Sequence, residues 1–507
     1  MTNRYDAVVI GSGFGGSVTA NKLANAGVKV AILERGPWRD TIPTRSMGIE
    51  NTAPFPAGWK AVTNALRSVH FSSFKKTWLT NKKGLFEFYV GGGVSVACSS
   101  SVGGGSHVYT ALHGRPPDPD YWETISEHTS GDALEPHYKE FLKKMNSRLP
   151  RPKDAIPNTI TDNYKNDGIL GEDKHTNPLT MGLLFPKVPG QPKRVVNKQG
   201  VVRFESEYGN DGLLGSFKGS KTTVDIAYLM ECLDKGLSIY DLHEAVAVYR
   251  IGEDGARSAS GARYRVDCID HKTGKRTFLI TDNVFFGAGT FNTLKLLFNS
   301  ADASKGINPI ENLGKGFSGN ADSISYWARN DPDKNFMDGT PCHGPLTMKG
   351  DPDTPQFISV GLSFVEDLPL PKWMKRRMQR DLFLIGFGAD DANGSFYFKD
   401  GKLRSAYDKL ENPVMSKIEQ CFRDVEKYYM KSVYRLPINA TVHPLGGARV
   451  GDDPAFGVVN GTGEIFGNAG LYVVDAAVFP KSLGVPPSMP IAAWSGHVSE
   501  TFLKENG

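Results

Sequence analysis

Apolar and helical patterns over residues 4–34 predict a strand, a helix and a second strand. Residues 7–10 are all apolar, as in a buried parallel strand, and residues 18–23 have helical character. Residues 28–33 are mostly apolar and predict another strand, which ends at Glu34. This order is that of a βαβ unit, from which doubly wound α/β sheets are built.

The turn between the first strand and the helix is rich in glycine and reads Gly11-Ser12-Gly13-Phe14-Gly15-Gly16. In such a turn Gly11 permits the tight bend, Gly13 lets the backbone approach a pyrophosphate, and Gly16 allows close packing of helix on strand. The free N–H groups of the helix N-terminus then face the phosphates. Glu34, about 20 residues further on, can accept hydrogen bonds from ribose hydroxyls. The pattern predicts a dinucleotide site without distinguishing FAD from NAD.

Two later stretches, about 220–320 and 436–507, also look like material of the dinucleotide-binding domain. Residues 224–235 predict a helix, residues 245–249 a strand, and residues 284–290 a strand that enters a glycine turn and a helix. The stretches between the regular segments are rich in Pro, Gly, Asn and Asp. We therefore predict an α/β protein with two discontinuous domains: a dinucleotide-binding domain of residues 1–115, 221–320 and 436–507, and a substrate-binding domain of residues 116–220 and 321–435.

Composition excludes several classes of protein. The net charge of +4 over 507 residues is too small to predict a nucleic-acid partner. No apolar run is long enough to span a bilayer, and residues 1–6 lack the apolar core of a secretory signal. The five cysteines are scattered and form no CxxC pair, so we expect neither a disulfide framework nor a metal site. A cytoplasmic location is the expectation.

Five motifs occur in one order along the chain and resemble those of a known family. They are the Gly11 fingerprint, Val102-Gly103-Gly104-Gly105-Ser106, Val284-Phe285-Phe286-Gly287-Ala288-Gly289, His443-Pro444-Leu445-Gly446-Gly447 and Leu471-Tyr472-Val473-Val474-Asp475. This order resembles the glucose–methanol–choline (GMC) oxidoreductases, in the bacterial branch that contains the cholesterol oxidases. The resemblance implies a Rossmann-type FAD-binding domain and an inserted α+β substrate domain built on an antiparallel sheet.

The resemblance also implies which residues hold the cofactor. FAD is expected to be non-covalent, since His107 is the only nearby histidine and does not match the family's attachment site. Asn320 resembles a position near the reactive edge of the flavin, and Asp475 fits a contact near the ribityl chain or pyrophosphate. The expected cofactor-binding residues are Gly11, Gly13, Phe14, Gly15, Gly16, Glu34, Gly103, Gly104, Gly105, Ser106, Ala288, Gly289, Asn320, Asp475 and Pro486.

His443 is the main candidate for catalysis. An imidazole side chain can orient a hydroxyl or accept its proton, and the matching histidine of the family faces the flavin. Glu366 precedes a proline-rich turn, as does a glutamate that serves as a base in cholesterol oxidases. Apolar neighbours would raise the pKa of such a carboxyl; the alternative is a solvated loop residue. Tyr109 and Ser488 are expected in the substrate pocket.

Pro486 departs from the family pattern. Many relatives carry Asn or His at the matching position, where the side chain bonds the substrate oxygen beside the histidine. Proline has no side-chain donor or acceptor and no backbone N–H. Either Ser488 or another group takes this role, or the reaction is not ordinary alcohol oxidation.

We therefore predict an FAD-dependent enzyme that transfers a hydride from a sterol- or terpenoid-like secondary alcohol to flavin N5, with oxygen or an electron carrier as acceptor. One alternative is the same fold acting on a ketone or enone, or as an isomerase or lyase. Another is a catalytically silent flavoprotein, which the intact His443 disfavours. Residues 372–380 mix basic, aromatic and thioether side chains and fit either a weak membrane-surface contact or a solvated helix.

Overall fold

A computed structural model of the chain describes residues 4–38, 59, 65–71, 77–91, 93–164, 168–209, 211–212, 215–216, 218–251, 262–304, 306–362, 365–399, 402–408, 411–435 and 439–506. Within these residues the α-helices are α1 (Phe14–Asn25), α2 (Gly131–Lys144), α3 (Ile160–Asn163), α4 (Thr290–Asp302), α5 (Lys372–Gln379), α6 (Pro413–Tyr429) and α7 (Ser488–Asn506).

The strands of the described residues fall into six sheets. In chain order they are β1 (Arg4–Ile10), β2 (Val30–Glu34), β3 (Leu66–Phe71), β4 (Thr77–Leu79), β5 (Phe86–Val90), β6 (Ser95–Ser99), β7 (Leu112–His113), β8 (Ser147–Arg148), β9 (Leu170–Gly171), β10 (Thr180–Gly182), β11 (Arg194–Val196), β12 (Val202–Phe204), β13 (Ser238–Asp241), β14 (His243–Arg250), β15 (Tyr264–Asp270), β16 (Arg276–Phe286), β17 (Lys315–Phe317), β18 (Ser323–Trp327), β19 (Gly344–Met348), β20 (Gln356–Val360), β21 (Leu382–Phe387), β22 (Gly394–Lys399), β23 (Lys402–Ala406), β24 (Val433–Arg435), β25 (Ala440–Thr441) and β26 (Leu471–Val473).

A seven-stranded sheet carries the predicted nucleotide-binding unit. Its order is β13-β2-β1-β16-β15-β14, and β26 pairs with β16. Strands β1, β2, β13, β16 and β26 run parallel, as continuous apolar runs require when both faces of a sheet are buried. Helices α1 and α7 pack together beside this sheet. The Rossmann-type α/β architecture is thus confirmed.

A six-stranded sheet forms the second unit, with the order β24-β18-β21-β20-β19-β9. All its pairings are antiparallel, which confirms the predicted antiparallel substrate sheet. Ile418 and Phe422 of α6 pack on one face, against Trp327 and Leu384. The other face turns towards the cavity described below. The domain boundaries themselves stay a prediction.

The helix predicted over residues 224–235 differs from the structure. The segment forms a π-helical turn, Asp225–Leu229, followed by a 3-10 helix, Met230–Lys235. The Asn21 side chain of α1 donates to the carbonyl of Tyr228 at 2.8 Å. A side chain that takes a carbonyl in this way competes with the regular helical hydrogen bonds, and the sequence pattern carries no sign of it.

No described helix has the length and apolarity needed to cross a membrane.

Candidate active site

A cavity of about 460 Å³ lies where β1 and β16 end in glycine turns. The cavity extends from these turns to the face of the antiparallel sheet, so that both units contribute walls. Ligands of open α/β sheets bind at this position, beyond the carboxyl ends of the parallel strands. The location fits the dinucleotide site predicted from the sequence.

The first glycine turn presents bare backbone to the cavity. A Cβ atom added to Gly13 would find no protein atom within 4 Å, whereas one on Gly15 would lie 1.7 Å from the carbonyl oxygen of Val474. Gly11 has a φ of +92°, and a Cβ there would lie 2.3 Å from the Gly287 oxygen. Gly11, Gly13, Phe14 and Gly15 line the cavity. Their backbone leaves the open space that a pyrophosphate requires.

Gly16 lies behind this wall and does not line the cavity. A Cβ on Gly16 would lie 2.1 Å from the Gly11 oxygen. This glycine therefore permits the close approach of helix and turn that the fingerprint predicts.

The second glycine turn packs directly against the first. Gly104 and Gly105 line the cavity, and a Cβ on Gly104 would lie 2.7 Å from the Gly13 Cα. Gly103 and Ser106 lie behind them, where the Ser106 hydroxyl donates to the Gly103 oxygen at 2.7 Å and accepts from Val224 N at 3.1 Å. Their contribution in the structure is therefore to hold the shape of the turn.

Glu34 lies at the end of β2 and lines the cavity. Its carboxylate accepts hydrogen bonds from the N–H and hydroxyl of Ser12 and from Gly36 N, at 2.7–3.1 Å. Burial raises the pKa of this carboxyl above its ordinary value, against these hydrogen bonds. A bound ribose would share the Glu34 oxygens with Ser12.

An ion pair that the sequence analysis missed supports the Glu34 end of the cavity. Arg35 lines the cavity and pairs with Glu87 of β5, whose side chain is 3% exposed. Glu87 also accepts from Ser68 at 3.0 Å and from His70. Despite burial, the positive charge of Arg35 and the hydrogen bond from His70 hold the Glu87 pKa well below its usual range. The pair joins the small sheet β25-β6-β5-β3-β4 to β2.

Replacing Glu87 with glutamine is expected to lower the free energy of unfolding by about 2 kcal/mol, because the buried Arg35 would lose the carboxylate with which it is paired. Urea unfolding of the flavin-loaded protein measures this change. The exposed Glu207, which pairs with Lys218 at 2.6 Å, supplies the control Glu207→Gln, expected to change stability by less than about 1 kcal/mol. Equal effects of the two substitutions would contradict the prediction.

The carboxylate of Asp475, which follows β26, connects this strand to the turn after β16. Asp475 accepts from Gly289 N at 2.8 Å and from the Thr293 hydroxyl at 2.6 Å. Burial raises the pKa of Asp475 to about 6. Ala288, Gly289 and Asp475 all line the cavity, and a Cβ on Gly289 would meet nothing within 4 Å. The backbone at Gly289 is therefore a second part of the cavity wall that has free space in front of it.

His443 lines the other end of the cavity and is fixed by a carboxylate that the sequence analysis did not identify. His443 Nδ1 and Asp322 Oδ1 lie 2.8 Å apart. The second oxygen of Asp322 accepts from the Thr441 hydroxyl at 2.8 Å and from the N–H groups of Val442 and His443 at 2.9 and 3.1 Å. An Nδ1–H that donates to Asp322 leaves Nε2 as the basic nitrogen for a ligand.

The wall opposite the turns is apolar. Ile324, Ile358 and Ile385 come from β18, β20 and β21 of the antiparallel sheet, and Val442 precedes His443. Pro486, Ser488 and Tyr109 also line the cavity. The Ser488 hydroxyl donates to the Leu112 oxygen at 3.0 Å and the Tyr109 hydroxyl to the Thr222 oxygen at 2.7 Å. Both hydroxyl groups therefore already donate to backbone carbonyl oxygens of the protein.

Two predicted site residues lie elsewhere. Asn320 is fully buried but does not line the cavity; its amide bonds the backbone of Val485 and Gly484 at 2.9 and 3.0 Å. It braces the loop that leads to Pro486, so direct flavin contact is not supported. Glu366 is exposed outside the cavity, on a turn after the undescribed residues 363–364, so the apolar surroundings expected for a catalytic base are absent there.

His107 points into the core. Its Nε2 lies 2.8 Å from the Val102 oxygen and 3.4 Å from a carboxylate oxygen of the buried Asp225. His107 does not line the cavity. Among the described residues no cluster of His, Cys, Asp and Glu has the arrangement of a metal site.

Comparison with known proteins agrees with this architecture. Residues 393–495 match a family model described as GMC oxidoreductase, and residues 9–38 match one described as NAD(P)-binding Rossmann-like domain. Cholesterol oxidase of Acinetobacter baumannii is 24% identical, over 96% of this chain and 92% of the relative. Cholesterol oxidase of Mycobacterium tuberculosis is also 24% identical, over 97% and 90%.

Solved structures share the fold at lower identity. Pyridoxine 4-oxidase from Mesorbium loti superimposes with a TM-score of 0.62 at 13% identity, over 99% of this chain and 100% of that one. A fungal aryl-alcohol oxidase gives 0.61 at 12%, over 100% of both. The fold, the family model and the full-length relatives agree, and they support an FAD-dependent oxidoreductase that is similar to the GMC family and to its cholesterol oxidase-like branch.

Proposed function

We propose that this enzyme oxidises an apolar cyclic secondary alcohol, of sterol or terpenoid type, with non-covalently bound FAD. The observation that carries the proposal is the His443–Asp322 pair, which lies beside an aliphatic wall of the cavity. FAD supplies the hydride acceptor, and oxygen or an electron carrier would regenerate it.

Backbone and carboxylate groups would hold the cofactor. The open surfaces at Gly13, Gly105 and Gly289 give room for a pyrophosphate, since no protein atom would lie within 4 Å of a Cβ on any of them. Glu34 would accept from the ribose. His107, buried against Val102 and Asp225, supports a non-covalent attachment.

His443 would act on the hydroxyl of the substrate. With Nδ1 directed at Asp322, its Nε2 can accept the hydroxyl proton as the alcohol carbon loses hydride. The negative charge of Asp322 then stabilises the imidazolium that forms. Ile324, Ile358 and Ile385 would exclude water and hold the apolar part of the substrate.

Pro486 supports a second candidate, the action of the same fold on a ketone or enone or as an isomerase or lyase. Pro486 lines the cavity and offers no hydrogen-bond donor, and the Ser488 and Tyr109 hydroxyls already donate elsewhere. The second donor to a substrate oxygen that relatives carry would thus be missing.

Anaerobic addition of a 3β-hydroxysteroid to the purified protein distinguishes the candidates. Bleaching of the flavin bands in the visible spectrum is the result expected for alcohol oxidation. Bands that shift with an enone but resist every alcohol would favour the second candidate. A protein with no flavin bands, even after FAD is added, would contradict both.

Asp322→Asn is expected to lower kcat/KM for the alcohol about tenfold without changing FAD content. The amide can donate to Nδ1 and so favour the tautomer whose Nε2 carries the proton, which cannot serve as base. Steady-state kinetics and the flavin absorbance per protein measure the two quantities. Asp331→Asn, a change at a partly exposed carboxylate paired with Arg329 at 3.6 Å, is the matched control. Unchanged kinetics in the Asp322 variant would contradict the positioning role.

A further inference from the structure

The three isoleucines of the cavity wall lie side by side on neighbouring strands of the antiparallel sheet. We call such a row of directly paired residues a rung. Ile324 pairs directly with Ile385, and Ile385 pairs with Ile358 on its other side. Directly opposed residues point to the same face of a sheet, and neighbouring strands lie about 4.8 Å apart. The three side chains therefore form a flat row across β18, β21 and β20.

A second rung follows on the same face. Tyr326 pairs with Phe383, and Phe383 pairs with Val360. On the other side Tyr326 pairs with Tyr434 of β24. Because side chains alternate along a strand, residues two positions apart share a face. The second rung thus continues the apolar surface beyond the three isoleucines, although it does not line the cavity itself.

The order of groups along β18 sets the direction of this surface. Asp322, which holds His443, comes first, Ile324 second and Tyr326 third. Tyr326 lies four positions after Asp322, which in extended chain corresponds to about 13 Å. The surface therefore begins at the proposed reaction site and leads away from it.

The second rung is aromatic and open on one side. The rings of Tyr326 and Phe383 meet edge to face with centroids 5.6 Å apart, and those of Tyr326 and Tyr434 lie 6.5 Å apart. Tyr326 and Phe383 are half-buried, and Tyr434 is 60% exposed. Val360 is buried in the neighbouring core cluster. An apolar ligand could therefore lie on the rung from the β24 side.

The far end of the surface is anchored. The Tyr326 hydroxyl donates to Asp381, which also accepts from Arg377 of α5 at 2.8 Å. A residue held by a hydrogen bond at its tip loses little further freedom when a ligand packs on its ring.

We propose that the Tyr326–Phe383 rung is a distal subsite that selects substrates by length. It would take the part of an apolar substrate about 13 Å beyond the reacting carbon, such as the side chain of a sterol, while the isoleucine rung takes the rings. This inference rests on the proposed function for the orientation of the substrate, but the subsite itself is defined by binding.

The test compares a tailed and a tail-less steroid ketone, cholest-4-en-3-one and androst-4-ene-3,17-dione, with the flavin-loaded protein. Dissociation constants come from the change in flavin absorption on binding, which requires no turnover. The wild type is expected to prefer the tailed ligand, and Phe383→Ala is expected to reduce this preference about tenfold. Phe383→Leu should retain it, since an apolar side chain stays in the rung.

Two further variants separate the subsite from general damage. Tyr326→Ala, at the open side of the rung, should reduce the preference even if Phe383→Ala does not fold. Phe456→Ala removes an aromatic ring that is 74% exposed and lies outside the cavity lining, and should leave the preference unchanged. Equal affinity of the wild type for both ligands, binding of neither, or an equal loss for both in Tyr326→Ala would overturn the proposal.

The outcome also separates this inference from the proposed reaction. A protein that shows the tail preference, loses it in the rung variants and yet oxidises no sterol would keep the subsite and reject the alcohol oxidation. Oxidation of both tailed and tail-less sterols with equal KM in every variant would do the reverse.

Discussion

His443→Asn is expected to lower kcat for the alcohol about 1,000-fold while FAD content and flavin spectrum stay unchanged. The imidazole would accept the hydroxyl proton, and general-base catalysis of this kind contributes about 100- to 10,000-fold. Asparagine keeps a polar side chain of similar size but cannot take up a proton. Anaerobic stopped-flow reduction of the flavin measures the chemical step directly, and the absorbance ratio of flavin to protein measures FAD content.

The design of this test depends on separating proton transfer from positioning. Because the asparagine side chain introduced by His443→Asn could still bond Asp322, the variant should bind substrate with a dissociation constant close to that of the wild type. His128→Asn, a change at a histidine with a 55% exposed side chain, is the control for histidine loss as such. A His443 variant that reduces flavin at the wild-type rate would show that another group removes the proton.

The nucleotide-binding unit could be predicted from the sequence because its signals are local. Residues 7–10 are an unbroken apolar run, and β1 buries all four of them in the parallel sheet. The glycines that follow have backbone requirements that few other residues meet, such as the φ of +92° at Gly11. The strand, turn and helix therefore follow from about 30 consecutive residues.

The substrate side could be predicted only in outline, because its contacts join distant parts of the chain. Asp322 and His443 are 121 positions apart, and no local pattern marks Asp322 as the partner. Asn320 has the polar side chain expected near a ligand, yet its amide satisfies the backbone of residues 484–485 instead. A buried polar residue braces backbone as readily as it binds ligand, and only the folded chain distinguishes the two.

Glu366 illustrates a second limit. Its proline-rich context matched the family pattern over a short stretch, but the residue lies on an exposed turn outside the cavity. Tuning a carboxyl into a base requires burial or a neighbouring charge, which depends on tertiary packing. The isoleucine rung, in contrast, has no local sequence pattern that would predict it. Its three members are spread over residues 324–385 and form one surface only through strand pairing.

Gly13→Val is expected to weaken FAD binding about 100-fold without preventing folding. A Cβ at Gly13 would meet no protein atom within 4 Å, and its backbone at φ −70° and ψ −162° is accessible to any residue. The added side chain would instead occupy the space through which the backbone approaches the pyrophosphate. Overpacking of this kind costs about 1–3 kcal/mol, and each 1.4 kcal/mol corresponds to tenfold in affinity.

Thermal unfolding with and without added FAD separates the loss of cofactor from the loss of fold. The apoproteins of wild type and Gly13→Val should melt within a few degrees of each other, because an added Cβ would meet no protein atom within 4 Å and the loss of the glycine N-cap of α1 costs about 1 kcal/mol. Added FAD should raise the melting temperature of the wild type far more than that of Gly13→Val, since a ligand stabilises the folded state by an amount set by its concentration relative to Kd. Gly209→Val, at a second glycine whose Cβ would meet nothing within 4 Å and which lies outside the cavity, should respond to FAD as the wild type does. Stabilisation of the Gly13 variant by FAD to the wild-type extent would place the pyrophosphate elsewhere, and failure of its apoprotein to fold would show that Gly13 is required for folding rather than for the ligand.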